Sequence, residues 1–231
     1  MEIHTVKVQE KDDLLQTYPS LQSYLTVKEL ESIKKFRNQN DRNVKLVSRI
    51  LLKYLLAKKQ GVALEEVEVY SNPYGKLFVK NSRFQFNLSH SGNMILYGFD
   101  GCALGVDIEE LVPVFPETAK LFMSEAEYKY FLNQLEGSLR KEFFYKVWTA
   151  KESLLKAAGT GITSQITQIH LPINSDIMEI NYQDCRYFFH QGKLGADYMY
   201  SICTRNQDIN APIFTILSLE EILKEIINSR S

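Results

Sequence analysis

Cysteine is scarce in this chain. Only Cys102, Cys185 and Cys203 occur in 231 residues, an odd count with no C-x-x-C pair. That excludes a disulfide framework and a thiolate zinc site, and it points to a reducing, cytoplasmic compartment. Each of the three falls in an apparent strand and is read as a small buried hydrophobe. An excess of either charge is also missing. The 27 Lys and Arg residues stand against 28 Asp and Glu, a net charge of −1. No global basic field therefore favours nucleic acid as a partner. No apolar run has the length that spans a bilayer, so no membrane partner is expected. Met1 to Val6 carries neither a basic nor an apolar leader region, so no secretory signal is expected. What remains is the composition of an ordinary globular protein, 45% hydrophobic and 24% charged. The length suits one large domain or two small ones.

Periodicity suggests a doubled order of elements. Ile3 to Val8 reads as a strand, and Thr26 with Glu29 three residues on reads as a capping box opening a helix to about Asn38. Asp41 is the expected cap of the next helix, which stops near Gly61. Short strands are expected at 67–70, 76–80, 84–88 and 94–99, separated by turn residues that include Asn81-Ser82. The order then recurs: a strand at 103–109, a helix capped by Ser124 with Glu127, a helix over 140–158, and strands near 166–171, 177–180, 185–191 and 198–203. A last strand at 213–217 and a helix from Ser218 end the pattern. No residue-level identity accompanies the repeat. It predicts an α+β fold, a pseudo-twofold tandem of two similar halves at 1–102 and 103–231, with the second half carrying any metal site. A site at the junction draws on both halves.

Three stretches carry candidate chemistry. In Trp148-Thr-Ala-Lys151-Glu152-Ser153-Leu-Leu-Lys156, helix spacing stacks Trp148, Glu152 and Lys156 on one side. Taken alone, Glu152 and Lys156 are an ordinary solvated i,i+4 pair. In Leu104-Gly105-Val106-Asp107-Ile108-Glu109, strand alternation projects Asp107 and Glu109 together, with Val106 and Ile108 behind them. Two hard oxygen donors on one face suit Mg²⁺, which takes few carboxylates plus phosphate and water oxygens. Phe86-Asn87-Leu88-Ser89-His90-Ser91 ends a strand in a polar turn, where Ser89 and His90 can donate to phosphate oxygens. Adjacent residues on a strand point apart, so a Ser89 nucleophile activated by His90 has poor geometry.

Together, Phe-Asn-Leu-Ser-His-Ser, Gly-Val-Asp-Ile-Glu and Trp-x-x-Lys-Glu-Ser-x-x-Lys-x-x-Gly-x-Gly, in this order and at these intervals, resemble the 4′-phosphopantetheinyl transferases of the surfactin-synthetase-activating type. Phe86 and Lys151-Glu152-Ser153 match the Phe/Lys-Glu-Ser subgroup, and the resemblance covers roughly residues 28 to 203. It implies a monomeric pseudo-dimer of two α+β halves. The implied activity is transfer of 4′-phosphopantetheine from coenzyme A to a serine of an apo carrier protein, releasing 3′,5′-ADP. By the same resemblance Asp107, Glu109 and Glu152 hold Mg²⁺, and Glu152 is a candidate base, directly or through water. Lys156 meets the diphosphate, Ser89 and His90 hold nucleotide phosphates, and Tyr74-Gly75-Lys76 lines the adenine. Among Lys28, Lys34, Lys35, Arg37, Arg42, Lys45 and Arg49, the candidates for the 3′-phosphate are Lys28 and Lys45. The loop from Leu111 to Pro116 lies where the family meets its carrier.

One departure is Leu77, which stands where the family's Tyr-Gly-Lys-Pro turn has proline. Two rival classes use the same residues. A Mg²⁺-dependent nuclease or phosphohydrolase would employ Asp107, Glu109 and Glu152, but no basic stripe accompanies them. A non-catalytic coenzyme A-binding or carrier-binding module would be marked by loss of a motif carboxylate or lysine, and none is lost.

Overall fold

The computed structural model describes residues 1–9, 11–80, 82–133, 136–161, 164–172, 178–207 and 212–228. The first half runs β1 (Glu2–Lys7), α1 (Leu14–Thr17), α2 (Val27–Lys34), α3 (Gln39–Gln60), β2 (Tyr70–Ser71), β3 (Leu77–Phe78), β4 (Gln85–Ser91) and β5 (Met94–Asp100). The second runs β6 (Leu104–Glu110), α4 (Pro116–Lys120), α5 (Glu125–Asn133), α6 (Gly137–Ala158), β7 (Glu179–Tyr182), β8 (Cys185–Leu194) and β9 (Tyr198–Thr204). Strand β10 (Phe214–Ile216) and helix α7 (Leu219–Asn228) follow. In each half the opening strand pairs antiparallel with the half's last strand, β1 with β5 and β6 with β9. That last strand then pairs with the one before it, β5 with β4 and β9 with β8. The result is the expected α+β tandem, two sheets of one connectivity.

Local chemistry explains where elements start. The Thr26–Glu29 capping box forms as expected, but α2 stops at Lys34 rather than near Asn38. Asn38, not Asp41, caps α3: its side-chain oxygen accepts from the amides of Asn40 and Asp41. Asp41 instead sits in the first turn, where its charge meets the positive helix end. The strands expected at 67–70 and 76–80 shrink to the two-residue β2 and β3. The strand expected at 166–171 is absent; Ser164–Gln168 forms a 3₁₀ turn. Its apolar residues Ile166, Ile169 and Leu171 are buried because the segment packs on the core beside α6, not because it joins a sheet. Asn81 and residue 177 lie outside the described residues. Cys203 is buried and Cys185 half-buried, but Cys102 is exposed in the turn before β6.

Three apolar clusters result. One lies beneath α3 and the first sheet, one around α6 and the second sheet, and the third between the sheets. In the third, Ile3 and Leu96 of the first sheet meet Val106, Ile108 and Ile202 of the second. The tail departs from the expected division of the chain. β10 runs parallel to β1, and Leu219, Ile222, Leu223 and Ile226 of α7 are buried in the first half's cluster. Among the described residues no helix is long and apolar enough to cross a membrane.

Candidate active site

A cleft of about 440 Å³ lies between the halves, and β6 forms its floor. Strand alternation turns Gly105, Asp107 and Glu109 toward α6 and turns Val106 and Ile108 into the inter-sheet cluster. Helix and strand touch at Gly105, where a Cβ would stand 2.0 Å from Ser153 O and 2.4 Å from Ala157 N. Only glycine permits that approach, which seats Lys156 over Asp107. Gly105→Ala should therefore push α6 off the strand, and overpacking of this kind costs about 1–3 kcal/mol. The expected result is a lower Tm together with a loss of activity larger than the Tm shift explains. A variant with the parent's Tm and turnover would show that the contact is not needed.

Strand β4 of the first half then fastens β6 of the second. Its alternate residues all reach across: Asn87 Oδ1 accepts from Val106 N at 2.9 Å, and Ser89 Oγ donates to Asp107 Oδ1 at 2.8 Å. Ser91 Oγ donates to Glu109 Oε2 at 2.7 Å and accepts from Glu110 N at 3.1 Å. Trp148 Nε1 donates to the other oxygen, Glu109 Oε1, at 3.0 Å. Glu109 is thus held at both oxygens by one residue from each half. Ser91 and Trp148 were not read as its partners in the sequence, although period-two spacing from Asn87 through Ser89 to Ser91 was visible there.

The charges are concentrated. Lys156 Nζ lies 2.6 Å from Asp107 Oδ1, 3.0 Å from Ser89 Oγ and 3.3 Å from Val106 O. Asp107 is almost fully buried, and burial raises its pKa, with Lys156 and Ser89 opposing the rise. Burial also raises the Glu109 pKa, and the Asp107 charge adds to it. Glu152, 7% exposed, is pushed up to about 7 by burial, with Lys156 opposing and Asp107 and Glu109 adding repulsion. Asp107 Oδ2 and Glu152 Oε1 are buried with no hydrogen-bond partner. Orphaned carboxylate oxygens of raised pKa beside further carboxylates are what a missing cation would leave.

The opposite wall is cationic. Lys45 and Arg49 of α3 and His90 of β4 line it. His90 faces the cleft, and its pKa is pushed down to about 4 by desolvation and by the charges of Lys45, Lys156 and Arg49. Lys28 does not line this cleft. It borders an adjoining groove that shares Lys45 and Arg49. Arg49, one of the basic residues available in the sequence but not preferred there over Lys28, follows Lys45 by four on one helix face and lines the cleft with it. Tyr74 and Gly75 line the cleft near Gly161. Lys76 also lines it, but its ammonium is turned to backbone carbonyls. Beyond Glu109 and Trp148 an apolar recess opens between Val112, Phe115 and Tyr145, with Phe115 71% exposed. Lys151 points away from the cleft and is wholly buried.

Known proteins resemble the chain over most of its length. A family model described as the N-terminal part of 4′-phosphopantetheinyl transferase matches residues 13–98, and one for the 4′-phosphopantetheinyl transferase superfamily matches residues 103–203. The 4′-phosphopantetheinyl transferase Sfp of Bacillus subtilis is 24% identical over 87% of this chain and 91% of its own length. The transferase psf-1 of Bacillus pumilus is 24% identical over 99% of this chain and its whole length. The transferase gsp of Aneurinibacillus migulanus is 26% identical over 90% of this chain and 88% of its own. With one matched model in each half, and relatives spanning nearly the full chain, this protein belongs to the 4′-phosphopantetheinyl transferase superfamily, as an enzyme of the Sfp-like type.

Proposed function

We propose that this cleft moves 4′-phosphopantetheine from coenzyme A to a serine hydroxyl of an apo carrier protein with Mg²⁺ bound by Asp107, Glu109 and Glu152. One observation carries the reading: the three carboxylates and Lys156 converge between the halves, with Asp107 Oδ2 and Glu152 Oε1 buried and unpartnered. Among the described residues no three His, Cys, Asp or Glu side chains form a ready-made metal cage. Mg²⁺ suits such a set, because it takes one or two carboxylates and completes its shell with water and phosphate oxygens. When bound, it neutralises the diphosphate and lowers the charge barrier to attack.

The protein's own groups do the rest. Lys45 and Arg49 offer positive charge to the nucleotide phosphates, and His90, neutral near pH 7, offers them an N–H donor. Ser89, whose proton goes to Asp107, steadies that carboxylate and Lys156 instead, and Tyr74 with Gly75 flanks the base. Glu152, at the cleft beside Asp107 and Glu109, takes the serine proton directly or through water. The serine Oγ–P bond forms as the P–O bond to 3′,5′-ADP breaks, and Lys156 faces the charge that grows on the leaving oxygen. Lys28 at the adjoining groove extends the cationic wall. In chain order the halves are 1–102 and 103–231, although the tail packs on the first. Intact-mass measurement of apo carriers incubated with the protein, coenzyme A and Mg²⁺ tests the reaction. A gain of one phosphopantetheinyl group, lost when the acceptor serine becomes alanine, is expected; no gain on any peptidyl or acyl carrier overturns it.

The metal assignment makes its own prediction. Asp107→Ala should nearly abolish transfer at ordinary Mg²⁺ and recover part of it at high Mg²⁺, since one of few ligands is gone. Titrating 3′,5′-ADP release against Mg²⁺ reads this directly, and an unchanged curve removes Asp107 from the site. Because both walls of the cleft come from one chain, the protein should work as a monomer, and its three free cysteines suit a reducing cytoplasm. Sedimentation at 26.7 kDa is expected; a stable dimer with a shared site would contradict it.

A further inference from the structure

The turn between β2 and β3 is riveted to the end of α6. Asn72 Oδ1 accepts from Tyr74 N and Lys76 N at 2.9 Å, which shapes the turn. Asn72 Nδ2 donates to Gly159 O at 3.3 Å, across the cleft between the halves. The stem of Lys76 passes Gly159, and its Nζ donates to Lys156 O at 2.7 Å, Ala157 O at 3.1 Å and Leu104 O at 3.4 Å. The amides of Gly159 and Thr160 both return to Leu155 O. The Lys156 and Ala157 carbonyls, which accept from no amide beyond the helix among the described residues, receive the Lys76 ammonium instead. A cation there also meets the negative end of the α6 dipole.

We infer that Lys76 is a positioning residue: its ammonium ties the last turn of α6 to β6 and to the 72–76 turn, and so sets Lys156 opposite Asp107, without itself meeting a substrate phosphate. This rests on the reading of Lys156 as the cation that faces the diphosphate. Lys76 is the only cross-half contact that grips the backbone of Lys156 itself among the described hydrogen bonds. Beside this clamp, at the residue after Leu104, Gly105 leaves no slack between α6 and β6. A small displacement of the last turn therefore moves Lys156 Nζ relative to Asp107. Misplacement of about 1 Å costs up to about 10²-fold in rate.

The ¹⁵N spectrum of lysine ammonium groups in the unliganded protein tests the clamp without any mutation. A resolved, slowly exchanging Lys76 signal is expected before nucleotide is added, because the group is already held. A signal that appears only on adding 3′,5′-ADP overturns the inference. In kinetics, Lys76→Met should lower kcat by about 10–10²-fold and shift KM for coenzyme A by less than about threefold. Lys76→Arg, which keeps donors, should recover most of kcat. Lys76→Met added to Lys156→Met should cost little more than Lys156→Met alone, because the two act through one group. A large rise in KM at constant kcat, or full additivity, marks Lys76 as a direct ligand and overturns the positioning role. If Lys156→Met itself turns over like the parent, the functional reading fails. If Lys156→Met is slow and Lys76→Met is not, only the clamp fails.

Discussion

Lys156→Met and Glu152→Gln should each lower carrier-dependent release of 3′,5′-ADP by about 10²–10³-fold, the usual cost of one preorganised electrostatic contact. As a solvated i,i+4 pair these residues would contribute a few tenths of a kcal/mol and nothing to turnover. Their surroundings favour the first outcome. Lys156 is fixed by Asp107, Ser89 and Val106 O rather than by Glu152, and Glu152 keeps a buried oxygen without a partner. Glu152→Gln should fall at least as far as Lys156→Met, because under the proposed function it removes both the ligand charge and the proton acceptor while keeping the size.

Stability moves the other way for Glu152. Its carboxyl titrates at about 7 in the folded chain, raised from 4.5. Between those values the folded chain holds a proton that the unfolded chain has released, so stability is lost as pH rises through that window. Glutamine does not titrate, so Glu152→Gln should be more stable than the parent at pH 8 in metal-free buffer, by about 2–3 kcal/mol. A variant that melts higher yet barely turns over separates site from scaffold. Parent turnover in both variants, with normal melting, would sink the assignment of the cleft.

Lys151→Met should be among the most damaging substitutions for folding. Lys151 Nζ sits 2.7 Å from Glu127 Oε2 with both side chains essentially without solvent, and it also donates to Phe122 O at 2.9 Å and Ile166 O at 3.2 Å. Glu127 in turn accepts from Ser124 N at 2.7 Å and Leu171 N at 2.9 Å. One ion pair thus ties α6 to the start of α5 and to the 3₁₀ segment after α6. Burial pulls the Lys151 pKa down, and Glu127 opposes that pull. Removing one partner of a buried pair costs about 3–5 kcal/mol, because the other charge is left without compensation. At about 2–4 °C per kcal/mol for a chain of this size, Tm should fall by about 10 °C. The double variant Lys151→Met/Glu127→Gln should recover part of that loss, since no charge is stranded. Urea denaturation of the three proteins reads the difference, and a Lys151→Met midpoint equal to the parent's would remove the pair from the scaffold.

The site's chemistry was legible wherever it depended on local periodicity. Alternation along β6 put Asp107 and Glu109 on one face, and helical spacing put Glu152 beside Lys156, because each rule involves only backbone geometry within one element. The doubled order of elements likewise announced two α+β halves. The same rules could not say that Lys151 is interior while Glu152, its neighbour, lines a cleft, because that depends on Glu127 and Ile166 from distant segments. Nor could they find Ser91 and Trp148 on Glu109, or separate Lys76, bound to helix carbonyls, from Lys45, open to the cleft. The same limit hid the tail, whose strand and amphipathic helix read alike whichever sheet they join. β10 pairs with β1 because the edge of the first sheet and the apolar groove under α3 are there to receive them, a match of surfaces that exists only once the first half has folded.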